Sequence, residues 1–381
     1  MPAFEAITLV MAQDVTDYDF GPSHPLRPER VLLTYDHIER LGFHELEGLR
    51  RVESGPASDV SILRAHDADY VTIVKTLGDR NSRSRGGLQY GLGTDDNPIF
   101  GKMHEASAAV CGATATAAST VASGEATCAF SPAGGLHHAR RNEASGFCIY
   151  NDPAVAIYEM LEINPQWRVM YLDVDVHHGD GVQWIFYDDP RVLTLSLHQS
   201  GPYFYPGTGF ETEIGEGDAR GTSANIPLAP GTGEEDYLWV LEETLAPLAA
   251  AFRPDVLVTQ LGADTHHGDP LAQLSLTMPA YPRMACIIHE VVRSHCKDRW
   301  VATGGGGYQA ETVVPKVWTM HFAEMCGAPE LIPAAWLEDV DPGAVAEANR
   351  RAVEGSARSV LTTCLPLLEK LPRDTGGWGG G

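Results

Sequence analysis

A chain of 381 residues with 44% hydrophobic and 20% charged content has the composition of a globular protein with room for a large core. Its apolar runs are too short or too interrupted to span a bilayer, and a formal net charge of −24 argues against nucleic-acid phosphate as a partner. The seven cysteines are scattered without a CxxC pair and read as reduced thiols rather than a disulfide framework.

The amino-terminal MPAFEAITLVMAQD carries acid where a secretory leader carries base. Its apolar middle reads as a first strand, and a cytoplasmic location is the expectation. Further along, ATCAFSP, RVMYLDVDV, RVLTLSLH, DVLVTQLGAD and RWVATGGGG are apolar, β-branched strand candidates. Between them lie helical patterns: MHEASAAVCGATATAASTVAS, DPAVAIYEMLEI, EEDYLWVLEETLAPLAAAF and YPRMACIIHEVVRS. Strands alternating with helices predict an α/β fold, a three-layer α/β/α open parallel sheet. No linker-like composition shift or repeat interrupts it. One domain is expected over residues 1–373, followed by a flexible Gly-rich tail over 374–381.

Polar residues gather where these strands end, in SPAGGLHHA, DVDVHHGDG, SLHQ, QLGADTHHGD and TGGGGY. Ligands in open α/β sheets bind beyond the carboxyl ends of strands, so five such ends predict one crevice. In YLDVDVHHGDG, side-chain alternation puts Asp173, Asp175 and His177 on one strand face. Burying three ionisable groups together is costly unless something pairs them. Asp175 and His177 can bind one metal ion, with Asp264 as a third ligand. Such a set leaves an open position, as a catalytic zinc site requires, and also suits iron(II). A satisfied polar network without metal is the alternative.

The tandem His137 and His138 cannot easily ligate one ion from a strand, because their rings point apart. They can place a proton shuttle and a second imidazole beside it, with Asp173 and Asp180 as orienting carboxylates. Four glycines before Tyr308 let backbone approach a ligand closely, and the phenol can donate to an oxyanion. A phosphate cradle competes, but TGGGGYQ lacks both P-loop and GxGxxG spacing. Tyr203, Phe204 and Tyr205 offer an apolar wall, and Asp95 or Asp96 a polar rim. Ser196 reads as a strand residue, and without GxSxG a serine hydrolase has no support.

Together these stretches resemble the zinc-dependent histone deacetylase superfamily, most closely its bacterial acetoin-utilisation branch. The resemblance runs from HPLRPER to GGGGY through GGLHHARRNEASGFCIYND, YLDVDVHHGDGV, FYPGTG and QLGADTHHGDPL, and GLGTDDNPIFGKMHEAS points to that branch. It implies the arginase/deacetylase fold and hydrolysis of an N-acetyl amide, releasing acetate. It implies Asp175, His177 and Asp264 as metal ligands, His138 as general base and acid, and His137 as its electrostatic neighbour. Asp173 would partner His137, Asp180 would partner His138, and Tyr308 would polarise the acetyl carbonyl. Phe147 and Tyr205 match the walls of an acetyl-lysine tunnel, with Gly146 beside them, and Asp96 matches a rim aspartate. Arg30 matches a basic residue near an internal acetate-release cavity. Asp173, Asp175, His177 and Ser196 fall at a structural potassium site. Two positions depart: Tyr205 stands where class I enzymes usually have Phe, and Leu136 where many have Trp. An acetylated protein, with acetyl-CoA synthetase as one expectation, is the implied partner. Acetylpolyamines are the alternative substrate, and a non-catalytic acetyl-lysine reader is a further one. An arginase-like ureohydrolase would need two manganese sites where one ligand set is found.

Overall fold

The computed structural model describes residues 4–79, 86–200, 204–339 and 347–372. Tyr203 and the Gly-rich 374–381 segment lie outside them. Among the described residues, eight strands hydrogen-bond into one sheet: β1 (Ile7–Ala12), β2 (Leu49–Ser54), β3 (Cys128–Ser131), β4 (Val169–Asp173), β5 (Val192–Gln199), β6 (Ser223–Leu228), β7 (Val256–Gln260) and β8 (Trp300–Thr303). Their order is β2-β1-β3-β8-β7-β4-β5-β6, and every pairing is parallel. Parallel neighbours need crossovers, which the intervening helices supply.

Alternation along each strand divides the core in two. Met170 and Leu172 of β4, with Trp300 and Ala302 of β8, face the helices Glu234–Phe252, Ala280–His295 and Val314–Met325. Val169, Tyr171 and Val301 face the opposite layer, Met103–Ala122 and Asp152–Ile163. This is the three-layer α/β/α arrangement. All seven cysteines are free thiols. Among the described residues no helix is long and apolar enough to cross a membrane.

Two features depart from the sequence reading. β2 and β6 escape it because both are edge strands: half of LRRVES is charged, and SANIPL holds a proline that an inner strand would not tolerate. β4 also ends at Asp173, so Asp175 and His177 lie past the strand. The cause is local. Asp173 Oδ1 accepts the Asp175 N–H at 3.2 Å, and Asp175 Oδ1 accepts the His177 N–H at 3.0 Å. Side chains that satisfy backbone donors two residues on compete with the ladder and turn the chain.

Packing of this kind makes a direct prediction. Leu257→Ala in β7, at 0% exposure, should cost about 2–5 kcal/mol in urea unfolding. Val60→Ala, at 66% exposure, should stay within about 0.5 kcal/mol of wild type.

Candidate active site

The sheet order makes β3, β8, β7, β4 and β5 consecutive, so the five polar strand ends open side by side. Three of them meet at one buried point. Asp175 Oδ1 and Asp264 Oδ2 lie 3.1 and 3.2 Å from His177 Nδ1, and all three residues are buried. The second oxygen of each carboxylate is already held. Asp175 Oδ2 accepts from Gln260 Nε2 at 2.6 Å and from the Gly306 N–H at 2.7 Å, while Asp264 Oδ1 accepts the Val176 N–H at 2.8 Å. What remains is a converging O, O, N set within 4.8 Å.

That set fits a divalent cation on its own chemistry. Burial and the Asp175 charge raise the Asp264 carboxyl, the mark of two carboxylates crowded together away from water. A divalent cation held by Asp175, His177 and Asp264 would offset that crowding. Gly306 closes the cradle from β8. A Cβ there would stand 2.1 Å from Asp264 Oδ2 and 2.6 Å from Asp175 Oδ2.

Beside the donors, His137 Nδ1 lies 2.7 Å from Asp173 Oδ2, and His138 Nδ1 lies 2.7 Å from Asp180 Oδ1. Their two Nε2 atoms are 3.0 Å apart. Burial opposes a charge on His137, but Asp173 and Asp175 outweigh it and raise the ring to about 9. Burial and that neighbouring charge bring His138 down to about 4, against the pull of Asp180. Each ring gives Nδ1 to its carboxylate, so the two Nε2 atoms are the ones left at the cavity. The outer oxygen of Asp180 takes Arg140 at 3.2 Å.

A cavity reaches this pair past Gly146, Phe147, Gly305 and Tyr308, with Arg30 and Leu136 deeper in. The Tyr308 ring meets Phe147 edge-on at 5.7 Å, and Tyr205 meets His138 edge-on at 5.0 Å. Phe204 stacks on His177 at 5.1 Å. Gly146 has φ +49, and a Cβ would stand 2.3 Å from His138 Cδ2. Buried Arg30 donates to Gly307 O at 3.0 Å and also lines a second cavity with Val15, Val31 and Val110. Asp173 pairs with Ser196 across β4 and β5, and Ser196 Oγ sits 2.9 Å from His198 Nδ1. Asp95 and Asp96 are exposed and do not line the cavity; the Asp96 carbonyl lies 3.3 Å from His24 Nε2. His178 faces away, with Thr208 Oγ1 at 2.8 Å and Gln183 Oε1 at 3.2 Å.

Several supporting residues were not found from sequence. Asn151 Nδ2 donates to His137 O at 3.0 Å and Ala139 O at 2.9 Å. Asp152 accepts the Gly135 and Leu136 N–H groups at 2.9 and 2.8 Å, so the ND pair of CIYND holds the tandem-histidine backbone. Gln260, which closes strand β7, and His24, against Phe147 at 4.5 Å, left comparable traces. The glycine cradle is the sharpest test of this geometry. Gly306→Ala should retain the fold by circular dichroism yet lose about tenfold or more in metal affinity, read as metal per chain by mass spectrometry. Wild-type metal content would contradict the cradle.

The histone deacetylase domain model matches residues 24–325. Over 322 residues the chain is 42% identical to the acetoin utilization protein AcuC of Bacillus subtilis (strain 168), covering 84% of this chain and 82% of that one. It is 33% identical over 336 residues to the protein of that name from Staphylococcus xylosus, covering 87% and 86% of the two chains. With Staphylococcus aureus (strain MRSA252) the identity is 34% over 332 residues, covering 86% and 84%. A match over most of the domain, reaching every strand end of the site, places this chain in the histone deacetylase family, in the branch of the acetoin utilization proteins.

Proposed function

We propose that the protein is a metal-dependent lysine deacetylase that hydrolyses the acetyl-lysine amide of a protein to free lysine and acetate. The observation that carries this reading is the tandem His137 and His138, each held at 2.7 Å by its own buried carboxylate, beside the Asp175, His177 and Asp264 donor set. A bound zinc or iron(II) ion would supply Lewis acidity at the acetyl carbonyl. The chain's own groups then divide the work. His138 Nε2 takes a proton from the attacking water as the new C–O bond forms, and returns it to the amine nitrogen as the C–N bond breaks. Asp180 holds the ring so that Nε2 is the atom presented. His137 stays charged between Asp173 and its neighbour and favours negative charge on the reacting oxygen.

Tyr308 would donate its hydroxyl to that oxygen. Burial and the Asp264 and Asp175 charges hold the phenol well above its usual range, so it keeps the proton it must share. Phe147 and Tyr205 would flank the lysine methylenes, and Asp96 would receive backbone N–H groups of the substrate outside the tunnel. Asp173, Asp175, His177 and Ser196 are the proposed potassium site. The relatives' name suggests a role in acetoin use, for which acetyl-CoA synthetase in the cytoplasm is the protein substrate put forward.

Tyr308→Phe should keep fold and metal while lowering acetate release from an acetyl-lysine peptide about 10²–10³-fold. Near wild-type turnover would remove the phenol from the mechanism. In the same assay, acetylspermidine turned over in preference to every acetylated peptide would replace the protein substrate with a small amine.

A further inference from the structure

The turn after Asp264 carries a chain of hydrogen bonds that ends on the Tyr308 backbone. Its outer end is Asp339, beyond the 24–325 span of the family model. Asp339 Oδ2 lies 2.9 Å from His266 Nε2 and accepts the Met278 N–H at 2.9 Å, while Oδ1 lies 3.0 Å from His267 Nε2. His266 is buried, and its Nδ1 accepts the Gly268 N–H at 3.2 Å. Nε2 therefore carries the ring proton and donates it to Asp339. One residue further, Asp269 Oδ2 accepts the Tyr308 N–H at 2.8 Å, and the Asp269 N–H donates to His266 O at 2.9 Å. The turn presses on the Tyr308 loop as well: a Cβ on Gly268 would stand 2.3 Å from Gln309 Nε2.

His266, His267 and Asp339 also have donor atoms within 4.8 Å, a spacing a cation could use. The tautomer decides against it. A histidine ligand needs a bare nitrogen toward the metal and usually donates from the other, whereas His266 accepts at Nδ1 and bears its proton at Nε2. The cluster is a clamp.

What the clamp holds follows from the loop. Gly304 to Gly307 have no side chains to pack, so hydrogen bonds must fix their path. Ala263 N–H donates to Gly306 O at 3.0 Å, Gly306 N–H to Asp175 at 2.7 Å, and Arg30 to Gly307 O at 3.0 Å. The Asp269 bond is the last before the Tyr308 side chain departs. We propose that Asp339 is a positioning residue for Tyr308, acting through His266 and the 266–269 turn; this rests on Tyr308 being the oxyanion donor.

Asp339→Asn replaces an acceptor facing His266 with a group that is half donor. His266→Asn keeps an oxygen toward the Gly268 N–H and cuts the same link from the other side, should the first variant fold poorly. Each should lower kcat on an acetyl-lysine peptide about tenfold or more, with KM within about twofold and metal content unchanged, since small misplacements of a catalytic group are costly. Hydrogen–deuterium exchange should quicken in peptides covering residues 304–309. On a Tyr308→Phe background neither variant should lower kcat further. A folded, metal-loaded variant with wild-type kcat and wild-type exchange, or a loss that compounds with Tyr308→Phe, would overturn the proposal. Full turnover in Tyr308→Phe alone would overturn the oxyanion reading beneath it, a result separable from failure of the clamp.

Discussion

Two carboxylates and an imidazole share one buried point, and much of the surrounding structure serves to keep them there. Asp175 and Asp264 repel each other out of reach of water, where a charge without a counter-ion is costly. Each is fixed through its far oxygen by a backbone or amide N–H, which leaves only the near oxygens facing His177. An arrangement that is unfavourable when empty is favourable around a divalent cation. Beside this centre, Asp173 and Asp175 raise the His137 ring against the pull of burial, while burial, with His137 next to it, lowers His138.

The sheet supplies the geometry that such a centre needs. Adjacent parallel strands bring the ends of β3, β8, β7 and β4 together, and the segments after them carry the histidine pair, Gly306, Asp264, and Asp175 with His177. Glycines then allow the close approaches. Gly306 and Gly262 lie against the two carboxylates, where any Cβ would collide with a carboxylate oxygen. Behind the histidines, Asn151 and Asp152 tie the Gly135–Ala139 backbone to the start of the Asp152–Ile163 helix. The ligands stand past the ends of β4 and β7, and hydrogen bonds between their carboxylates and nearby backbone N–H groups hold those turns in place.

The central strands were legible because apolar β-branched runs alternate with helical patterns, and the chemistry because it falls where those runs end. The spacing of Asp173, Asp175 and His177 pointed to a shared site through strand alternation, yet the strand stops at Asp173. Their grouping comes from carboxylates capping backbone donors two residues on, which periodicity does not encode. Edge strands β2 and β6 were hidden by charge and proline. Gln260, Asp152 and Asp269 were missed because a single polar residue at a strand end, a helix start or a turn looks ordinary until its partner, far along the chain, is known. Asp339 left no trace, since its meaning lies wholly in a contact with His266 that is 73 residues away.

The central claim is that the Asp175, His177 and Asp264 set makes this chain a metal-dependent deacetylase. Its most direct measurement is a titration of metal-stripped protein with zinc or iron(II), following acetate release from an acetyl-lysine peptide. Activity should be absent at the start and rise to a plateau near one ion per chain. Undiminished acetate release from protein verified free of metal, or none at any loading with either ion, would contradict that claim.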